Sequence, residues 1–171
     1  MQNIRENFLK IKMIRLSRYS GLSVLETEQL VNASLEEVWN FFSSPQNLGL
    51  ITPTEMKFII TGTDHDKKSY AGQIISYSLN PFNWLKVNWV TEITHLTELH
   101  SFTDEQRFGP YKFWHHRHQF TSDGNRTIMK DIVTFKFPFG IIGRYLGRLI
   151  IEPRVLEIFR YRSEKINEIF R

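Results

Sequence analysis

SFTDEQRFGPYKFWHHRHQF, residues 101–120, reads as two strands separated by a turn. Gly109-Pro110 breaks the run, because proline fixes its own backbone angle and cannot donate to a strand ladder. Side chains alternate across a strand, so Phe102, Asp104 and Gln106 share one face before the turn. Beyond it Trp114, His116, His118 and Phe120 share a face. The aromatic members mark these as the inward faces.

The same reading extends in both directions. Arg126–Phe135 alternates Met129, Asp131, Val133 and Phe135 inward, after the turn Asp123-Gly124-Asn125. Upstream, Leu85–His95 aligns Trp89, Thr91 and Ile93. Further strands are expected at Gln73–Leu79, Glu55–Thr61 and Leu22–Val31. The connections are too short for parallel crossovers, so the neighbours are antiparallel. Between the first two strands, Ser34 and Glu37 form an S-x-x-E capping box for a helix with Leu35, Val38, Trp39 and Phe42 on one face. Pro45 opens a second short helix that Pro53 stops. From about Ile142 to Phe170, apolar residues recur near a period of about 3.6, the mark of an amphipathic helix. Pro153 within it is expected to kink or divide it.

The order is thus strand, two short helices, six strands, long helix. The expected class is α+β, with a curved antiparallel seven-stranded sheet wrapped around the C-terminal helix. One domain spans 21–171, preceded by a basic N-terminal extension, 1–20, without a clear period.

Composition narrows the functions. The chain has 171 residues and no cysteine, which excludes disulfides, thiolate metal sites and a cysteine nucleophile. No stretch approaches the roughly 20 apolar residues of a membrane span, and no secretory leader is evident, so a cytoplasmic location is expected. The net charge of +4 is split between the two ends, while residues 21–143 are mildly acidic. Nucleic-acid binders cluster basic residues on one face, and here the C-terminal charges alternate in sign, so no nucleic-acid partner is expected. Fourteen Phe, six Tyr and four Trp suit either a dense core or an apolar pocket. Dinucleotide, phosphate-loop, zincin and esterase motifs are absent from the sequence.

Asp104, Gln106, His116, His118 and Asp131 remain as polar groups on inward faces. Buried polar groups need partners. They form either an internal network, with His116 or His118 against Asp131, or a set of contacts for a ligand's polar head. A two-His-one-carboxylate metal site or general acid–base pair is a further reading of the same residues. The apolar connection Leu79–Trp84 suits a lid, a surface that dips into a membrane, or packing back on the sheet edge.

Three segments resemble the START-like or SRPBCC superfamily, and within it the bacterial ligand-binding SRPBCC domain proteins, some of which are labelled cell-division inhibitors. They are Ala33–Pro53; Phe102 to Phe120 with Gly109-Pro110-Tyr111, Trp114, His116 and His118; and Met129 onward through Phe137-Pro138-Phe139-Gly140 to Ile158-Phe159-Arg160-Tyr161-Arg162. The resemblance implies a helix-grip fold with a cavity between sheet and helix for a lipid, sterol-like or polyketide-like molecule. The expected cavity residues are Trp39, Trp89, Asp104, Gln106, Tyr111, Trp114, His116, His118, Phe120, Met129, Asp131, Phe135, Leu146 and Ile150. No cofactor or metal is expected, and the leaning is toward a non-catalytic binder. The alternatives are a cyclase- or hydrolase-type enzyme using a His/Asp pair, and a protein-partner module. Membrane contact is expected to be transient at most, and ligand and oligomeric state are not legible.

Overall fold

The computed structural model describes residues 11–62, 68–82 and 84–171, and side chains from residue 13 on. Eight described strands form one antiparallel sheet: β1 Ile11–Tyr19, β2 Leu22–Val31, β3 Ile59–Ile60, β4 Ile74–Phe82, β5 Leu85–Thr97, β6 Ser101–Phe108, β7 Phe113–Asp123 and β8 Arg126–Lys136. The spatial order is β1-β2-β8-β7-β6-β5-β4-β3. After β2 the chain crosses to the far edge through helix α1, Leu35–Phe42, and two short 3-10 segments, then returns strand by strand to pair β8 with β2. The capping box closes α1 as expected: Ser34 Oγ accepts from the Glu37 amide, and the Glu37 carboxylate accepts from the Ser34 amide. Register shifts in the β5–β6 pairing mark bulges, which bend a strand and add twist.

Two strand expectations change. Glu55–Thr61 shrinks to the two residues of β3, because Thr54–Met56 takes a 3-10 turn and Lys57 the left-handed region. The basic extension supplies β1, an added edge strand, so the sheet has eight strands where seven were expected. Residues 1–10 of that extension, the turn at 63–67 and Asn83 of the apolar connection lie outside the described residues.

The C-terminal helix is continuous but not uniform. Helix α2, Gly140–Leu146, runs into a π turn, Gly147–Ile151, and then into α3, Glu152–Ile169. Pro153 sits in the first turn of α3, and the wider turn before it accommodates a residue with no amide proton. Val155, Phe159, Arg162 and Ile166 form the buried stripe of α3, and Gln29 of β2 donates to the Ser163 carbonyl and to Asn167. Glu152, only 1% exposed, anchors the start of α3: Arg18 of β1 pairs with it and the Ser23 hydroxyl donates to it at 2.6 Å.

Strand β1 is therefore tied to the helix as well as to β2. Arg18→Met leaves a buried carboxylate with one hydroxyl for a partner. It is expected to cost about 2 kcal/mol, measured by urea unfolding. A chain starting at Gly21 is expected to lose at least as much.

Candidate functional site

The concave face of the sheet, α1 and α3 enclose a cavity of about 240 Å3. Its walls are mostly aromatic and aliphatic. Tyr77, Trp89 and Trp114 come from the sheet, Phe41 and Phe42 from α1, and Ile158 and Phe159 from α3. Trp89 meets Trp114 edge-on at 5.1 Å and lies against Tyr77 at 6.0 Å.

At one part of this wall four ionisable side chains interlock. Pairing sets Asp104 beside His116, and His118 beside Asp131, across β6, β7 and β8. The histidines, two apart on β7, have ring centroids 3.8 Å apart. His118 Nε2 bonds Asp104 Oδ2 at 3.1 Å, and His116 Nε2 bonds Asp131 Oδ1 at 3.3 Å. His118 Nδ1 is also 2.7 Å from Asp131 Oδ1, though off the line that a hydrogen bond needs. The His116 Nδ1 atom lies 3.3 Å from Asp104 Oδ2. Thr27 Oγ1 approaches the other oxygen of Asp131 at 3.4 Å. Phe102 stacks on the His118 ring at 4.1 Å.

The electrostatics follow from burial and pairing. Burial would raise both carboxylic acids, yet the histidines opposite outweigh it and hold Asp104 and, further, Asp131 below the usual range. Burial and the charge on His118 push His116 down. Burial also opposes the charged form of His118, but the Asp131 charge and the bond to Asp104 lift it above 6.5. The histidines titrate as a coupled pair, with His118 the more readily protonated of the two. The positive charge of Arg162 also helps lower Asp104.

Asp104 Oδ2 and ring nitrogens of His116 and His118 lie within 4.8 Å of one another, a spacing that could hold a metal ion.

Six of the expected cavity residues are on its wall: Trp89, Asp104, Tyr111, Trp114, His116 and His118. The others lie elsewhere. Trp39, Phe120 and Met129 interlock in the core at the α1 end, with Trp39 edge-on to Phe120 at 5.6 Å. Phe135 belongs to a second core cluster, and Asp131 lies behind the histidines. Gln106 turns to the Gly109-Pro110 bend, where its amide donates to the Tyr111 carbonyl at 2.7 Å and accepts from the Tyr111 amide at 3.2 Å. It thereby fixes Tyr111 over the cavity. A side chain on Gly109 would collide with Gln106 at 2.4 Å.

Leu146 and Ile150 face outward, 49% and 51% exposed. The cause is Gly143 and Gly147, four apart and hence on one face of the helix. A β-carbon on Gly143 would overlap the Pro138 carbonyl, and one on Gly147 would sit 2.4 Å from the Phe137 ring. The glycine face packs inward, which leaves the bulky residues outside. Pro81 and Phe82 line both the cavity and an outer groove shared with Trp84, Ile150 and Pro153. The apolar connection thus stands at the cavity's edge.

The expected list omits Arg162. Its place on the stripe with Val155, Phe159 and Ile166 is the signal that would have found it, since that spacing puts it among apolar neighbours.

No family model matches the sequence, and no curated protein is similar to it by sequence. Solved structures are similar in shape. A protein from Arthrobacter aurescens has a TM-score of 0.68 at 15% identity, over 91% of this chain and 90% of that one. Ginseng major latex-like protein 151 from Panax ginseng has a TM-score of 0.64 at 11% identity, over 88% and 99%. Norcoclaurine synthase from Thalictrum flavumn, a point mutant in complex with a transition-state analogue, has a TM-score of 0.63 at 14% identity, over 92% and 97%. These likenesses establish the helix-grip fold, an antiparallel sheet around a long C-terminal helix.

The buried cluster sets a pH dependence. Asp104 and Asp131, with lowered folded-state pKa values, stabilise the fold above the unfolded carboxylate range, and this is lost as pH falls below about 5. His118, with a raised value, stabilises below 6.5, and this is lost as pH rises through its folded-state value. His116, with a lowered value, loses its contribution as pH falls below 6.5. The melting temperature is therefore expected to be highest near neutrality, and His118→Gln to flatten the alkaline decline. Asp131→Asn, which leaves cations uncompensated, is expected to cost about 3–5 kcal/mol by chemical denaturation at neutral pH.

Proposed function

We propose that the protein binds one small hydrophobic molecule with a polar head in the cavity between sheet and C-terminal helix, without transforming it. The carrying observation is an aromatic-lined cavity with a small ionic cluster at one place on its wall, the usual chemistry of a selective ligand pocket. At about 240 Å3, it lies just under the roughly 300–1,000 Å3 usual for such sites, which favours a single chain or a small ring system. The resemblance to bacterial ligand-binding SRPBCC domain proteins points the same way. The enzyme alternative rests on His116 or His118 with Asp131, but no activated nucleophile accompanies them among the described residues. The Tyr77 hydroxyl is bonded to Thr91, and burial raises its pKa and that of Tyr111.

Native mass spectrometry of the purified protein is the test, followed by denaturing extraction. A discrete extra mass of lipid-like composition is the expected outcome. Ile158→Trp, which fills the cavity from α3, is expected to abolish that mass and leave the fold intact by circular dichroism. An apo mass that does not shift across a panel of lipids and polyketides would overturn the proposal.

A second feature supports transient membrane contact as the route of loading. Ile141 (77% exposed), Ile142, Tyr145 and Leu149 (60%) project from α2 and the π turn, with Arg144 and Arg148 among them. Trp84, 82% exposed and stacked on Phe82, shares the outer groove with Ile150, the residue that follows Leu149. Clustered exposed apolar side chains mark interaction surfaces, and added basic residues suit an anionic lipid surface. No helix among the described residues is long and apolar enough to cross a membrane. Vesicles containing phosphatidylglycerol are expected to sediment the protein, and Ile142→Ser with Leu149→Ser to reduce this about tenfold. Retention with neutral vesicles alone, or a concentration-dependent mass without lipid, would replace this reading with another.

A further inference from the structure

We propose that the cavity's ligand is headed by a carboxylate and that Arg162 receives it, an inference that rests on the cavity being a ligand site. Arg162 is 9% exposed, sits on the buried stripe of α3 and lines the cavity. Its Nε is fully buried and has no hydrogen-bond partner among the described residues. The guanidinium carbon rests 4.8 Å from the centre of the Phe159 ring, a cation–π contact that holds the group but uses none of its in-plane donors.

An arginine cannot escape burial by giving up its proton, as a lysine or histidine can. A donor buried without an acceptor is costly. The guanidinium's charge acts on Asp104, but that carboxylate is engaged by His118 at 3.1 Å and faced by His116 at 3.3 Å. Asp131 is held behind the two rings. The protein's own carboxylates are thus committed to the histidines, and Arg162 faces the cavity with donors unused.

Trp89, another residue of the wall, likewise has an indole Nε1 that is buried without a hydrogen-bond partner among the described residues. Both leftover groups donate, so the complementary ligand accepts. A carboxylate offers acceptor oxygens only, in the planar spacing that a guanidinium fork meets with two parallel bonds. A hydroxyl head offers weaker, single-point acceptance, and an ammonium head would meet a fixed positive charge. The volume of about 240 Å3 argues against a two-chain lipid. A medium-chain fatty acid or a small aryl acid fits this description.

Isothermal titration of the full chain, cleared of co-purified lipid, with decanoic acid, decanol and methyl decanoate near neutral pH tests the inference. The expected result is that the acid binds about ten- to a hundredfold more tightly than its uncharged counterparts. Arg162→Met is expected to erase that preference while decanol affinity stays within about threefold. Should that variant fail to fold, the wild-type ratio and a partial loss in Arg162→Lys decide the question. Equal affinity of the wild type for all three overturns the carboxylate assignment and leaves the cavity reading standing. Binding of none of them, together with an apo mass from purification, overturns both.

Discussion

A strongly bent antiparallel sheet has a concave face that it cannot cover itself, and the architecture follows from that constraint. The covering helix must lie along the hollow, and it must be held at its ends, because side chains from a bent sheet cannot meet it evenly. Glu152 does this at one end. Buried at the helix start, it reaches the hydroxyl of Ser23 and the guanidinium of Arg18 on the two outermost strands of that edge. Near the other end, Gln29 bonds the helix backbone at Ser163 and the side chain of Asn167. Between these polar fixtures Val155, Phe159 and Ile166 pack where they can, and where they cannot a cavity remains.

The same constraint explains what was legible in the sequence. Strand alternation is local, so the inward faces of β5 to β8 could be read directly, including the register neighbours Asp104, His116, His118 and Asp131. Short turns fixed the antiparallel order for similar reasons. Facing inward is not the same as lining a cavity, however. Phe120 and Met129 point to the concave side, as expected, but α1 closes over them through Trp39. Depth along the strand decides this, and it depends on where the helices cross.

Helical periodicity was informative in a weaker sense. It shows that an apolar face exists without saying what that face meets. In α2 and the π turn the glycines take the inner position, and Leu146 and Ile150 are left outside. In α3 the stripe is inward, and it includes a charged residue that composition alone would assign to solvent. Strand β1 escaped a confident reading because its inward residues, Ile14, Leu16 and Arg18, mix apolar packing with an ion pair. Shape comparison recovers the fold from proteins that share little sequence with this one, and the particulars of the cluster must be argued from the chain itself.

The π turn at Gly147–Ile151 has a geometric effect beyond its accommodation of proline. An α-helix turns by about 100° per residue, so one residue held in a wider turn rotates everything before it relative to everything after it. The helix is in effect two amphipathic rods spliced out of phase, one greasy side toward the hollow and the other toward the exterior. Evolution can re-aim the outer rod by inserting or deleting one residue at the splice, with every wall contact of the inner rod unchanged. Length at that point, rather than residue identity, sets how the entrance of the molecule meets its surroundings.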